Sequence, residues 1–210
     1  METYSVSDLD IFIKPARILI SGFSNSGKTY LVTELIKKYS CKFIQIKVCG
    51  IPAIDFQDRK ISYCESTYDP LQDDTIDGEV LVVYDDSMLD DHCLKIAATL
   101  FSKGRHKSIS TIFITQNLFI PSKYYRVISL NASHVIIFKI RDISQISYFG
   151  RTFLDSTHYK KFLDVYRKYV TNKEYGYLLI DFTKSSASKL FIRFNITANN
   201  IDNYERCIVL

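Results

Sequence analysis

Ile18-Leu19-Ile20-Ser21 leads directly into Gly22-Phe23-Ser24-Asn25-Ser26-Gly27-Lys28-Thr29. The first segment is typical of a short buried strand, and the second fits the pattern Gly-x-x-x-x-Gly-Lys-Ser/Thr. In this pattern the backbone N–H groups of the loop wrap phosphate groups, and glycines stand where the chain turns tightly. Lys28 then contributes a point charge to the β- and γ-phosphates, and Thr29 contributes a hydroxyl ligand to Mg²⁺. The sequence therefore predicts a site for ATP and Mg²⁺ in residues 22–29.

Apolar runs alternate with helical patterns along the rest of the chain. Continuous apolar strands separated by helices indicate an α/β fold whose sheet is mostly parallel and covered on both faces. The stretch from 50 to 78 is more polar, and we expect it to cross the surface irregularly. The predicted strands are 17–21, 42–48, 80–84, 110–115 and 133–139. The predicted helices are 29–39, 89–103 and 156–170. We also expect a closing hairpin formed by 176–182 and 189–194.

The apolar strand at 80–84 ends in two carboxylates, Asp85 and Asp86. An aspartate-rich turn after a strand is common and proves little by itself. Downstream of a phosphate loop, however, the first carboxylate is suited to hold Mg²⁺ or its water, which predicts Asp85 as a metal ligand. Asp86 is then the candidate to orient and deprotonate the attacking water, although aspartate is one methylene shorter than the glutamate that many ATPases use.

Three further polar residues are candidates for contact with phosphate. The strand at 110–115 ends in Gln116, which is suited to sense the γ-phosphate and to position water. Arg105 lies in a basic turn, where cations are also expected from the dipole of the preceding helix. Alternatively, Arg105 contacts a phosphate of a neighbour's nucleotide or of DNA, because its guanidinium matches phosphate oxygens. Arg141, after the strand at 133–139, is the second candidate, and the sequence does not choose between them.

The composition limits the class of protein. With 210 residues, 47% of them hydrophobic, the chain is long enough to bury a core as one domain, and its apolar content argues against disorder. The net charge of +4 permits nucleic-acid binding without requiring it. The five cysteines show no Cys-x-x-Cys pair, which favours a reducing compartment over disulfides or zinc. We expect neither a signal peptide nor a membrane span, because no apolar run approaches about 20 residues.

These segments resemble the FtsK/HerA-type genome-packaging ATPases of double-stranded DNA viruses, most closely the poxvirus-type enzymes and their relatives in Polinton-like elements and adintoviruses. The Gly-Arg-His element followed by a strand that ends in glutamine is far more specific than the phosphate loop. The resemblance covers about residues 16–195. The matching segments are 18–29, 81–86, Phe101-Ser102-Lys103-Gly104-Arg105-His106 with Ile112-Phe113-Ile114-Thr115-Gln116-Asn117, and Tyr175-Gly176-Tyr177-Leu178-Leu179-Ile180-Asp181.

The resemblance implies a RecA-like P-loop NTPase core of additional-strand type, with strand order 5-1-4-3-2 and a C-terminal β-hairpin extension. It implies one domain over 1–210, with a core at about 16–150 and a helix and hairpin from 151–210 packed on it. It further implies a ring of five or six subunits that threads double-stranded DNA at the expense of ATP. Arg105 then matches the arginine supplied in trans, and Gln116 matches the polar sensor.

The same resemblance implies a capsid portal or vertex protein as partner and no membrane. It places the protein inside the host cell, in the cytoplasm or nucleus where virions assemble, or in the virion itself. Two other readings stay open. A nucleoside or nucleotide kinase would need a lid segment, which we do not find in the sequence. A nucleotide-binding assembly protein would barely turn ATP over, and the set of Lys28, Thr29, Asp85, Asp86 and Gln116 argues against it.

Overall fold

The structure, a computed structural model, describes residues 3–5, 11–12, 15–50, 58–85, 90–154, 156–183, 191–194 and 206–209. The strands are β1 (Thr3–Ser5), β2 (Arg17–Ser21), β3 (Gln45–Cys49), β4 (Ile61–Cys64), β5 (Val80–Tyr84), β6 (Ile109–Thr115), β7 (His134–Phe138), β8 (Tyr177–Asp181), β9 (Phe191–Phe194) and β10 (Arg206–Val209). The helices are α1 (Lys28–Tyr39), α2 (Asp91–Lys103), α3 (Lys123–Asn131), α4 (Ile143–Phe153) and α5 (Ser156–Tyr166). A π-helical turn, Arg167–Thr171, follows α5 directly.

These strands form one sheet in the order β1-β10-β9-β8-β7-β2-β6-β5-β3-β4. The six strands from β7 to β4 are parallel, and the other four pair antiparallel. The five strands predicted for the core are β2, β3, β5, β6 and β7, and their spatial order is 5-1-4-3-2. The predicted fold class, a mostly parallel α/β sheet, is therefore confirmed, and the sheet differs in detail because it extends beyond the five strands at both edges.

One extension is a strand that we did not expect. β4 lies within the stretch that we predicted to be irregular, and it pairs parallel to β3 with Ile61 opposite Ile46. It has four residues on the outer edge of the sheet and is only partly buried, so its sequence lacks the continuous apolar run of the central strands. The predicted hairpin does form from β8 and β9, and it joins the sheet because β8 pairs with β7. Helices α3 and α4 were also not predicted.

The two faces of the sheet are buried under different helices. Leu19 of β2 packs in a cluster with Phe101 and other residues of α2, α3, α4 and α5. Its neighbours Ile18 and Ile20 point to the opposite face and pack in a cluster with Leu35 and other residues of α1. Because both faces are covered, every strand residue from 18 to 20 is apolar, and each contributes about 1.5–3 kcal/mol by burial. Even the longest helix in the described part of the chain, the 13-residue α2, is too short and polar to cross a membrane.

Candidate nucleotide-binding site

The phosphate loop connects β2 to α1 at the carboxyl edge of the sheet. The N–H of Gly22 donates to the carbonyl oxygen of Thr115 at 3.2 Å, and the N–H of Phe23 donates to that of Lys139 at 3.0 Å. Thr115 ends β6, and Lys139 follows β7 directly, so the start of the loop is tied to the strands on either side of β2. The loop therefore lies where ligands bind in open α/β sheets, outside the carboxyl ends of the strands.

Both glycines of the motif occupy positions that a side chain would disturb. Gly27 has φ 98° and immediately precedes α1, a left-handed conformation that other residues rarely adopt. A Cβ atom on Gly22 would lie 2.5 Å from the Cβ of Phe138. Glycine at these two positions lets the backbone turn sharply at one end of the loop and approach β7 closely at the other.

The polar groups of the loop suit an anion. Lys28 is only 7% exposed, and its Nζ donates to the carbonyl oxygens of Gly22 at 2.6 Å and Phe23 at 3.0 Å. The hydroxyl of Ser26 is buried and has no hydrogen-bond partner among the described residues. The first turn of α1 contains no acidic residue, so nothing within it neutralises the positive end of the helix dipole. A buried cation, an unpartnered hydroxyl and an uncapped helix terminus together fit phosphate.

The candidate acidic and polar residues lie at the same edge of the sheet. Asp85 follows β5 directly, and its backbone N–H donates to the carbonyl oxygen of Cys49 at 3.0 Å, which continues the pairing with β3. Gln116 follows β6, which lies between β2 and β5, so Gln116 stands between the phosphate loop and Asp85 in the strand order. Thr29 in the first turn of α1 and Asp85 are the described residues that would hold Mg²⁺. Asp86 lies outside the described residues.

A cleft of about 240 Å³ joins the loop to the next strand ends. It is lined by Phe23 and Ser24 of the loop, by Gln116 and by Arg141. The structure therefore brings Gln116 and Arg141 together beside the phosphate loop of their own chain. Gln145 of α4 was not among the predicted site residues. Its Oε1 accepts from the backbone N–H groups of Leu118 at 2.8 Å and Phe119 at 3.3 Å and so anchors the segment after Gln116.

Arg105 does not line the cleft beside the phosphate loop. It belongs to the short 3₁₀ turn Gly104–Lys107 between α2 and the start of β6, at the amino edge of the sheet. The seven residues of β6 separate this edge from the phosphate loop by about 20 Å, at roughly 3.3 Å per residue. Arg105 makes no ion pair with the described residues. Burial, and secondarily the charge of Arg105, lower the pKa of Arg17. The Nε atom of Arg17 has no hydrogen-bond partner among the described residues.

A buried polar cluster links the strands near Arg17. Nη1 of Arg193 lies 3.3 Å from Oδ2 of Asp181, and Nε2 of His134 lies 3.5 Å from Oδ1 of the same carboxylate. The hydroxyl of Ser133 lies 3.0 Å from Nδ1 of His134 and accepts from the N–H of Arg17 at 2.9 Å. Burial lowers the pKa of His134 to about 4, although Asp181 opposes the shift. The cluster spans β7, β8 and β9 at the amino edge, so we assign it to stability.

The sequence matches no protein-family model and no curated protein. The fold, however, is similar to solved structures. The genome-packaging NTPase B204 from Sulfolobus turreted icosahedral virus 2, in complex with ATPγS, aligns with a TM-score of 0.58 and 15% identity over 83% of this chain and 96% of that chain. B204 from Sulfolobus turreted icosahedral virus, described as a DNA-packaging ATPase, aligns with a TM-score of 0.57 and 14% identity over 85% and 97%. The chain therefore shares the fold of B204, in agreement with the fold that its resemblance to the FtsK/HerA-type packaging ATPases implies.

Proposed function

We propose that this protein is an ATPase that drives double-stranded DNA into a viral capsid, and that it hydrolyses ATP between the subunits of a ring. The observation that supports the proposal is the phosphate loop itself, which combines a buried Lys28, a Ser26 hydroxyl without a partner among the described residues, and two glycines at positions that a side chain would disturb. The candidate residues Asp85 and Gln116 follow neighbouring strands at the same edge. The fold shared with B204 supports the packaging role.

Each residue has a proposed part in hydrolysis. Lys28 moves its ammonium group from the loop carbonyls to the β- and γ-phosphates and offsets their charge. Asp85 and Thr29 would hold Mg²⁺, which when bound would neutralise charge on the phosphates. Asp86 directs and deprotonates the attacking water, and Gln116 aligns it. Catalysis of this kind rests mainly on positioning and electrostatics.

The arginine that completes the site would come from the next subunit. Arg105 lies at the edge opposite its own phosphate loop, so a nucleotide phosphate that it touches would belong to a neighbour. Arg141 borders its own loop and is the alternative, acting within one chain. A ring of five or six subunits, a portal or vertex protein as docking partner, and an assembly site inside the host cell are the further parts of this proposal.

The test is steady-state ATP hydrolysis by the purified protein, with and without linear double-stranded DNA, at low and moderate salt. A DNA motor is expected to be stimulated by DNA, and the stimulation should weaken as salt rises, because phosphate contacts release counterions. Hydrolysis that is indifferent to DNA at every salt concentration would contradict the proposal. The Lys28→Ala variant, prepared in parallel, gives the background rate.

The same reaction mixtures separate the alternatives. A nucleoside or nucleotide kinase would move the γ-phosphate to an added nucleoside or nucleotide, whereas a motor releases inorganic phosphate only. A nucleotide-binding assembly protein would bind ATP but release almost no inorganic phosphate. Measuring the labelled product therefore assigns the chain to one of the three classes.

A further inference from the structure

Tyr175 has an unusual backbone for a large residue. Its φ is 54°, in the left-handed region, and its side chain is 62% exposed. The residue lies between the π-helical turn Arg167–Thr171 and β8. Bulky residues avoid this region because their Cβ crowds the neighbouring backbone, and an exposed ring gains little burial to offset the strain.

The surrounding turn fixes this conformation. A Cβ atom on the next residue, Gly176, would clash with the carbonyl oxygen of Tyr169 and lie 3.0 Å from the Cα of Val170. The backbone therefore passes close against the end of the π-helical turn and has little freedom to relax at Tyr175. Strained residues persist where the surrounding structure determines them in this way, and they cluster at functional sites.

The ring of Tyr175 lies against the phosphate loop. A Cβ atom on Gly27 would be 3.2 Å from Cδ1 of Tyr175 and 3.6 Å from Cε1 of Phe138. Phe138 in turn packs on Tyr177, with ring centroids 5.2 Å apart. The turn before β8 thus presents an exposed aromatic surface beside the residue that immediately precedes Lys28. A planar base stacks favourably on such a surface, whichever base it is.

We propose that Tyr175 is the stacking platform for the base of the bound nucleotide. This inference rests on the proposed function, since it needs the loop to bind a nucleoside triphosphate. It assigns the two ends of the ligand to different parts of the chain: residues 22–29 hold the phosphates, and the turn before β8 holds the base. Tyr175 contributes affinity for the nucleoside and takes no part in the chemistry of the phosphates.

The experiment compares two ligands, MgATP and Mg-tripolyphosphate, which share the triphosphate but differ in the nucleoside. Dissociation constants are measured for the full chain and for Tyr175→Ala, Tyr175→Phe and Tyr148→Ala. Tyr148, on α4, is 61% exposed and serves as the matched control. Tyr175→Ala is expected to weaken ATP binding about tenfold, within the range for one base–aromatic stack, and to leave tripolyphosphate binding unchanged. Tyr175→Phe and Tyr148→Ala should bind both ligands as the wild type does.

Several outcomes would overturn the inference. If Tyr175→Ala weakens both ligands equally, the ring supports the loop and does not stack on the base. If neither affinity changes, the base does not stack on Tyr175. The variant Tyr30→Ala, which removes the 72% exposed tyrosine that follows Thr29, would then test whether the base lies against α1. A wild type that binds neither ligand overturns the nucleotide site as well, whereas binding of both without DNA-stimulated hydrolysis overturns only the motor.

A third variant at this position guards against a folding artefact. Tyr175→Asn places a residue that tolerates the left-handed region at this position. If the tyrosine is held there for binding, the variant should lose ATP affinity while its melting temperature stays equal or rises by a few degrees. A marked fall in melting temperature together with loss of both ligands would show that the ring is needed for the fold and would contradict the proposal.

Discussion

The Nζ atom of Lys28 lies 2.6 Å from the carbonyl oxygen of Gly22. This hydrogen bond joins the two ends of the phosphate loop, because Gly22 opens it and Lys28 begins α1. A nearly buried ammonium group is thereby held beside the backbone that we propose to bind phosphate. The cation is already largely desolvated and lies within the loop, so only a local movement of its side chain is needed when an anion binds.

Replacing Lys28 should therefore strongly reduce the rate of ATP hydrolysis. We expect Lys28→Ala to reduce ATP hydrolysis by about 10²–10³-fold, as for the loss of one preorganised charge-stabilising group. Circular dichroism and melting temperature serve as controls for folding, and Lys37→Ala, an exposed lysine of the same helix, should keep full activity. Hydrolysis by Lys28→Ala at more than half the wild-type rate would remove the phosphate loop from the mechanism.

The trans role of Arg105 is testable by mixing inactive variants. Arg105→Ala alone should retain ATP binding but lose about 10³-fold in hydrolysis. Mixed with Lys28→Ala, it should recover activity, because some interfaces pair an intact Lys28 with an intact Arg105 from the neighbour. Random pairing of equal amounts restores about a quarter of the interfaces.

Arg141→Ala provides the matched comparison, because Arg141 borders the phosphate loop of its own chain. Mixing Arg141→Ala with Lys28→Ala should recover nothing if Arg141 acts within one chain. Recovery with Arg141→Ala and none with Arg105→Ala would reverse the two assignments.

Gln116 should affect the chemical step more than binding. We expect Gln116→Ala to lower kcat by about 10²-fold, while the Kd for MgATP changes less than about threefold, because aligning water matters only in the transition state. Asn117→Ala, at the next exposed position of the same cleft, is the control and should have a smaller effect on kcat. An equal loss of kcat in both variants would indicate that the chemical step depends on the shape of the cleft and not on the amide of Gln116.

The buried cluster around His134 makes stability depend on pH. Burial and the nearby guanidinium groups of Arg193 and Arg17 lower the pKa of His134 to about 4, while Asp181 opposes the shift. Between this value and the usual pKa near 6.5, the unfolded chain binds the proton more readily, so the histidine favours folding above pH 6.5 and this contribution is lost as the pH falls toward 4.

We expect protonation of His134 to lower the free energy of unfolding, measured with urea, by about 2 kcal/mol between pH 6.5 and pH 5. In His134→Phe the decrease over the same range should be smaller by that amount, whatever its stability at neutral pH. An identical pH profile in the two proteins would show that His134 is not the group that titrates.

Much of the fold could be predicted from the sequence because the central strands are buried on both faces. The middle of a strand in that position must be apolar, and 18–20, 80–84 and 112–114 all meet this requirement. The edge strand β4 could not be predicted in this way because one side of it faces solvent, and its partly exposed residues do not form a continuous apolar run. The short helices α3 and α4 were missed for a related reason, since only a few residues of each are buried.

The sequence by itself determined the phosphate-loop motif and so predicted a phosphate site in residues 22–29, because the glycines, lysine and threonine of the loop stand in one contiguous segment. It also determined the α/β class, because burial of both sheet faces requires an apolar pattern that can be recognised locally. Only the tertiary structure decided that Arg105 lies at the edge opposite its own loop while Arg141 lies beside it. Only the tertiary structure, likewise, brought Tyr175 against Gly27. These relationships join residues far apart in the chain, and strand order and pairing, which follow from packing of the whole sheet, set them.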